Sequence, residues 1–127
     1  MLINGYVSTT AGRSPKSIPL FWWQGWSSAW HVTSVFDIKG FCCEEPGTFV
    51  LVRREANGRC TPLMVGTGEN VSQDLFAHHG EALMRAIKAG ATEVHVHLMA
   101  ETAAERDAVM DDIGQGWQMP VHRAPAV

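Results

Sequence analysis

Six histidines are the side chains in this sequence best suited to metal chemistry. His95 and His97 alternate with apolar residues in TEVHVHLM, so an extended backbone would place both imidazoles on one face beside Glu93. Imidazole nitrogens and carboxylate oxygens are ordinary zinc ligands. His78 or His79 could join them, but neighbours on a helix lie about 100° apart, so only one of these two would take part. Two interpretations stay open: a metal site at His95 and His97, or polar residues that face solvent.

Three cysteines offer a second kind of chemistry. Cys42 and Cys43 are adjacent and would point to opposite faces of a strand, so they do not converge on one ligand. Together with Cys60 they make neither a disulfide framework nor a zinc ribbon. This usage predicts reduced thiols in a cytoplasmic protein. A nucleophilic Cys60 activated by a histidine is the alternative, although no sequence signature accompanies it.

Arginines cluster around one expected turn. Arg53, Arg54 and Arg59 lie close to an Asn-Gly pair, which is a strong hairpin signal. We interpret the cluster as a solvated turn, with a weak anion- or nucleic-acid-binding patch as the alternative. The formal charge of −3 does not favour nucleic acid, because neutralisation of phosphates supplies most of the affinity of such proteins.

Length and composition predict one domain with one hydrophobic core, since the chain has 127 residues of which 46% are hydrophobic. Residues 1–17 are rich in Ser, Thr and Gly and are predicted to form a flexible tail, and residues 18–127 the domain. No apolar run reaches the roughly 18 residues that a membrane span needs. The first residues lack the order of a signal peptide, so we expect a cytoplasmic protein without a membrane partner.

A Trp-rich N-terminal extension, IPLFWWQGWSSAW, opens the predicted domain. Trp22, Trp26 and Trp30 recur every four residues, which on a helix would place the three indoles along one face. We predict that this stripe packs on the core, because aromatic side chains bury the most area. The alternatives are a platform for a protein partner or for self-association, and a platform for unstacked bases.

Alternation and turn residues predict the strands that would position these side chains. The expected strands are residues 31–38, 48–55, 60–66 and 92–99. The second and third are expected to form an antiparallel hairpin through Asn57 and Gly58.

The remaining segments show helical spacing. Helices are expected from Asn70, with a break at Gly80 and a stop at Gly90, and again after Thr102, whose spacing to Glu105 is that of a capping box. The buried face of the first helical region is predicted to consist of Val71, Leu75, Phe76, His79, Leu83, Ala86 and Ile87. The result is an α/β domain of the α+β type, with a small, mixed, mostly antiparallel sheet built on a β-hairpin and flanked by helices.

This order of elements, with its local phrases, resembles the GIY-YIG nuclease superfamily over residues 31–122. GTFVLV stands where the first motif of the family belongs and PLMVGTGENV where the second belongs. AGATEVHVHL matches the later strand, and RDAVMDDI followed by MPVH is similar to the closing helix and its tail. The resemblance implies a GIY-YIG-like fold and, in working members, metal-dependent cleavage of a phosphodiester.

In working members of that family two tyrosines, one arginine and one metal-binding glutamate carry out the chemistry. The matching positions here, with the tail asparagine last, are Phe49, Met64, Asp74, Met110 and His122. A looser alignment offers Glu105 as the metal ligand. An aspartate in place of the arginine would repel a phosphate by about 1–4 kcal/mol at ~4 Å.

These replacements predict a catalytically inactive GIY-YIG-like domain that acts as a binding or interaction module and needs no cofactor. Its contact residues would be Trp22, Trp26 and Trp30, with Arg53 and Arg54 as weaker candidates. The partner would be another protein or a second copy. Two alternatives remain: a nucleic-acid-binding remnant, and a nuclease or hydrolase whose site has been rebuilt around a divalent metal. The residues of such a rebuilt site would be His95, His97 and Glu105.

Overall fold

The computed structural model describes residues 18–122, which form one six-stranded sheet with helices on both faces. The elements are β1 (Leu20–Gln24), β2 (Trp30–Asp37), β3 (Gly47–Arg54), β4 (Cys60–Gly68), α1 (Val71–His78), α2 (Gly80–Lys88), β5 (Glu93–His97), α3 (Ala103–Trp117) and β6 (Val121–His122). The predicted tail, residues 1–17, and the last five residues of the predicted domain lie outside the described residues. The predicted fold class is confirmed. Among the described helices none is long and apolar enough to cross a membrane.

The strands lie in the order β1-β2-β5-β3-β4-β6, and every neighbouring pair is antiparallel except β4 and β6. The predicted hairpin is β3 with β4, and its turn contains Gly58 at a positive φ of 87°, a conformation that glycine adopts without strain. At the β4 edge, Pro62 and a bulge opposite Leu51 and Val52 interrupt regular pairing, and β6 covers Val65 and Gly66.

The helical Trp stripe was predicted wrongly, because this segment forms a second hairpin, β1 with β2. Phe21 and Trp23 point to one face of β1 and are buried, whereas Trp22 points to the other and is half-buried. Aromatic residues favour strands, and the four-residue spacing arises because a turn separates Trp22 from Trp30. The turn contacts α3: a Cβ atom on Gly25 would lie 1.9 Å from Asp112 Oδ2, so only glycine permits this approach.

The sheet separates two hydrophobic cores. On one face α1 and α2 cover Phe49, Leu51, Met64, Val94 and Val96. On the other, Met110 and Ile113 of α3 cover Phe21, Trp23, Val50, Val52, Cys60 and Val65. Alternate residues of β3 and β4 enter opposite cores, as the period of two in a strand requires.

The predicted break at Gly80 and the predicted capping box of α3 are both present. The prediction that Phe76 and Ile87 are buried was wrong, since 58% and 44% of their surfaces are exposed. The reason is the break itself: α1 and α2 are separate helices, so one helical period does not run through both.

The interpretation of His95 and His97 as solvent-facing was also wrong, since only 0% and 7% of their surfaces are exposed. β5 lies inside the sheet, between β2 and β3, and both of its faces are covered. The polar side chains that alternate with apolar ones along β5 are therefore buried.

Candidate functional site

The positions that the family resemblance matched to catalytic residues lie on two sides of the sheet. Phe49 and Met64 are 0% and 2% exposed in the core under α1 and α2. Met110 is 0% exposed in the other core, beneath α3. The sheet lies between Met110 and the other two, so these three positions do not form one site.

The divalent metal that the family implies does not fit either candidate ligand. Met110 carries no oxygen and is surrounded by hydrocarbon. Glu105 belongs to the N-terminal cap of α3, where its Oε1 accepts the backbone N–H groups of Thr102 at 3.0 Å and Glu101 at 3.2 Å. Neither residue is therefore placed to hold such a metal.

Asp74, at the position of the family's arginine, stabilises the turn between β4 and α1. Its Oδ2 accepts the backbone N–H of Glu69 at 2.8 Å and that of Asn70 at 3.3 Å. The turn is tight, because a Cβ atom on Gly68 would lie 2.7 Å from the same oxygen. His78 Nε2 lies 3.7 Å from Asp74 Oδ1. The carboxylate thus has a structural role in the fold.

A groove runs along α2 beside β4 and β6, and Met64 and His122 form part of its wall. We divide it into an apolar end of about 340 Å³ and a polar end of about 440 Å³. The apolar end is lined by Leu63, Met64, Ala86, Ala89 and Pro120, and the polar end by Phe76, His78, His79 and Glu81, among others. Ala82, Arg85 and His122 line both ends. Gly66 permits this arrangement, because a Cβ atom there would lie 2.7 Å from the Phe49 ring and 2.9 Å from the His122 carbonyl oxygen.

His79 is the central polar residue of this groove. It is the N-cap residue of α2, only 4% of its surface is exposed, and its ring centroid lies 5.7 Å from that of Phe49 and 6.1 Å from that of His122. Its Nε2 atom is buried and has no hydrogen-bond partner, the one such side-chain atom among residues 18–122. Burial lowers the pKa of His79 most strongly, and a hydrogen bond to the Thr67 backbone opposes this shift. The ring is therefore neutral near pH 7.

Arg85 supplies the positive charge of the groove. Among the described residues its guanidinium makes no hydrogen bond and no ion pair, unlike the guanidinium groups of Arg53, Arg54 and Arg106. Burial lowers the pKa of His122, and the charge of Arg85 lowers it further. The groove thus combines a cation without a partner and two imidazoles that are neutral near pH 7.

Cys60, Glu93 and His95 form a second cluster, whose candidate ligand atoms all lie within 4.8 Å of one another. Trp23 Nε1 lies 3.0 Å from His95 Nδ1, and His95 Nε2 lies 2.8 Å from Glu93 Oε1. An indole nitrogen only donates, so Nδ1 must accept and the proton of the neutral ring must sit on Nε2, where it is donated to Glu93. Both nitrogens are then used, and His95 has no lone pair for a metal.

Charge and pKa in this second cluster agree with a structural role. Arg54 binds Glu93 with two hydrogen bonds, of 2.6 and 3.0 Å. Burial acts to raise the pKa of Glu93, but the hydrogen bonds from His95 and Arg54 outweigh it and lower the pKa. Burial lowers the pKa of His95 and raises that of Cys60 to about 11, so the thiol is protonated and a poor nucleophile.

His97, the other predicted metal ligand on β5, also has a structural partner. Its Nδ1–H donates to the Val32 carbonyl at 2.7 Å, and its ring meets the His31 ring edge-on, with centroids 5.7 Å apart. Burial lowers the pKa of His97. The structure thus places His97 and Glu105 in different local networks, so the residues proposed for a rebuilt metal site do not share one centre.

Two of the three hairpin arginines, Arg53 and Arg54, are engaged in ion pairs. Arg53 donates to Glu55 at 2.8 Å and to the Ala89 carbonyl at 2.9 Å, and Arg54 binds Glu93 as described. A phosphate at this turn would compete with two carboxylates.

Two of the three predicted contact tryptophans are exposed. Trp26, in the β1–β2 turn, is 71% exposed, and Trp30, the first residue of β2, is 46% exposed. Asp112 fixes the turn, because it accepts the backbone N–H and the hydroxyl of Ser27, each at 2.8 Å, and contacts His31 at the same distance. Trp26 is therefore presented on an ordered turn.

In comparisons with known proteins, no family model, no curated protein and no solved structure matches this chain.

Sequence reasoning named His122 and included His79 only as a buried helical residue or a spare metal ligand. It missed Arg85 altogether. The helical period was a usable signal for His79, because it placed this histidine among apolar residues. Nothing local indicates that β6 pairs with β4, which brings His122 to His79 and Arg85.

Proposed function

We propose that this chain is a non-catalytic binding domain whose ligand site is the groove between α2 and the β4–β6 edge. This proposal rests on the composition of that groove and of the core beneath it. Buried Phe49 and Met64 stand at the matched tyrosine positions, and the wall carries Arg85 without a partner and His79 with an unpaired buried nitrogen. Such a surface offers contacts and hydrogen bonds to a ligand but no hydroxyl or carboxylate pair for hydrolysis.

The relation to GIY-YIG nucleases remains part of this proposal. It is supported by the order of a hairpin, two short helices, a strand and a closing helix. Under this proposal the domain kept the architecture of that family. The two matched hairpin positions, Phe49 and Met64, became core residues beside a binding groove. The position of Met110 in the opposite core argues that the metal ligand has no equivalent here.

A second candidate function is association through the tryptophans of the β1–β2 turn. The specific observation is the exposure of Trp26 and Trp30, because indoles are enriched at protein interfaces. β1 also lies at an edge of the sheet, and its sequence LFWWQ carries no charge or proline that would hinder pairing with another strand. A second copy of this chain is the partner that we propose to test.

The decisive test of the first proposal is a cleavage assay. Single-stranded, double-stranded and branched DNA, and RNA, are incubated with the protein and magnesium or manganese, and the matched control is the His79→Gln/His122→Gln double variant. We expect the same background with both proteins. Cleavage by the native protein that EDTA stops, and that the double variant lacks, would overturn the proposal and assign a rebuilt active site to the groove.

A further inference from the structure

The two ends of the groove differ in chemistry and meet at Arg85. On one side lie the alkyl groups of Leu63, Met64 and Pro120, and on the other the imidazoles of His79 and His122. The volumes of the two ends, about 340 and 440 Å³, are in the range of small-molecule sites, which is about 300–1,000 Å³. A ligand that fills both ends must have an apolar part and a polar part.

The polar part is best matched by an anion. The Arg85 guanidinium forms no ion pair among the described residues, although Glu81 lines the same end of the groove, and it can donate two parallel hydrogen bonds to a carboxylate. His79 contributes a second, independent indication, because its buried Nε2 lacks the partner that buried polar atoms normally have. In the neutral ring this nitrogen is an acceptor and is covered by protein atoms, so a carboxylate oxygen reaches it only when the imidazole is protonated there and a covering side chain moves.

We infer that the groove binds a small organic carboxylate with an apolar body, which lies on the Met64 side while the carboxylate lies between Arg85 and His79. This inference rests on the proposed function, since it names the ligand class of the same groove. The unpaired cation, the unpaired buried nitrogen and the adjoining apolar wall each match one part of such a ligand. Inorganic phosphate matches only the first two.

Binding is coupled to uptake of a proton. His79 is neutral in the free protein, and a carboxylate against Nε2 stabilises the imidazolium, so the ring gains a proton as the anion binds. The other charged or titratable groups around the ring are His78, His122, Arg85, Asp74 and Glu81. Arg85, His78 and His122 oppose the new charge when they are themselves positive, while Asp74 and Glu81 favour it. Affinity therefore increases as the pH falls, by at most about tenfold per pH unit for one proton.

The probe is benzoate, titrated into the ¹⁵N-labelled full chain, with benzyl alcohol as the neutral match and inorganic phosphate as the anion without an apolar body. We expect benzoate to shift amide signals along α2 and β6, and both controls to bind at least about tenfold more weakly, the size of one hydrogen bond to a charged group. Calorimetry in two buffers of different ionisation enthalpy should show about one proton taken up.

Two variants test whether Arg85 and His79 are the groups that bind the carboxylate and take up the proton. Arg85→Gln, at an exposed position, should reduce benzoate affinity about 10- to 100-fold, and His79→Gln should abolish proton uptake and the pH dependence. Lys88→Gln is the matched control, because it removes a positive charge from an exposed position of the same helix outside the groove, and it should not weaken binding. If His79→Gln does not fold, the Arg85 variant and the calorimetry of the native protein decide.

Equal binding of benzoate and benzyl alcohol, benzoate binding without proton uptake, or no shift at α2 with benzoate would each overturn the inference. Phosphate binding as strong as benzoate binding would do the same, because the apolar end would then have no role. These outcomes leave the absence of nuclease activity untouched, whereas metal-dependent cleavage overturns the proposed function itself.

Discussion

The hydrogen bond from Trp23 to His95 can be measured separately from the packing of either ring. Both side chains are 0% exposed, and the bond joins Trp23 Nε1 to His95 Nδ1 at 3.0 Å. Trp23→Phe removes the donor and also removes ring volume. His95→Leu removes the acceptor. The double variant loses both partners, so the cycle of four proteins cancels the volume effects and leaves the coupling between the two groups.

We expect a coupling free energy of about 1–3 kcal/mol, since an unpaired buried acceptor costs that much. The cycle is measured by urea unfolding at pH 8, where the histidine is neutral, and it is followed by far-UV circular dichroism because tryptophan fluorescence changes with the substitution. Long-range ¹H–¹⁵N correlations of the native protein should show the proton of His95 on Nε2. A coupling below about 0.5 kcal/mol, the limit for independent sites, or a proton on Nδ1, would refute the network and reopen His95 as a metal ligand.

The remaining predictions concern the pH response, the two cores and the exposed surface. Burial lowers the pKa of four histidines, namely His79, His95, His97 and His122, so they bind fewer protons in the folded protein than in the unfolded chain. The free energy of unfolding should therefore decrease as the pH falls below about 6.5, by up to about 1.4 kcal/mol per pH unit for each histidine. Urea unfolding between pH 8 and pH 5 measures this decrease, and a flat profile would contradict it. Met110→Glu should destabilise the fold by about 4 kcal/mol or more, because it buries a carboxylate without a partner. The control, Met110→Leu, should cost less than about 1.5 kcal/mol. If the glutamate variant unfolds at the native urea midpoint, Met110 is not in the core. Trp26→Ser should leave the melting temperature nearly unchanged and reduce self-association in light scattering at high protein concentration, and a native protein that stays monomeric would argue against that interface. A thiol reagent at pH 8 should label exposed Cys42 quickly and Cys60 only after unfolding, as mass spectrometry of the peptides can show.

Local signals predicted the elements of the fold well. The Asn-Gly pair predicted the β3–β4 turn, Gly80 the break between the helices, and Thr102 with Glu105 the capping box of α3. Each of these signals acts within a few residues, so it can be read from the chain itself. The β1–β2 hairpin was missed because a four-residue recurrence of tryptophan fits a helix as well as two short strands joined by a turn.

The site could be predicted only in part, because its members come together through long-range pairing. The parallel pairing of β6 with β4 brings His122 close to His79, and the layering of the sheet puts Met110 in the other core. The alternation in β5 was read correctly as a strand and wrongly as a half-exposed one. Burial of His95 on the second face depends on Trp23 of β1, which lies 72 residues before it in the sequence.

The number of hydrogen-bond partners distinguishes the histidines of this protein more clearly than their burial does. His95 is the most buried, and both of its nitrogens have partners, so its imidazole is held in one tautomer and stabilises the sheet. His79 is nearly as buried, yet its Nε2 has none, so part of the cost of burying that nitrogen is not recovered in the free protein. A ligand that supplies the missing partner recovers that free energy on binding. This is why the groove at His79, rather than the cysteine, glutamate and histidine cluster on the other face, is the place where binding should stabilise the fold.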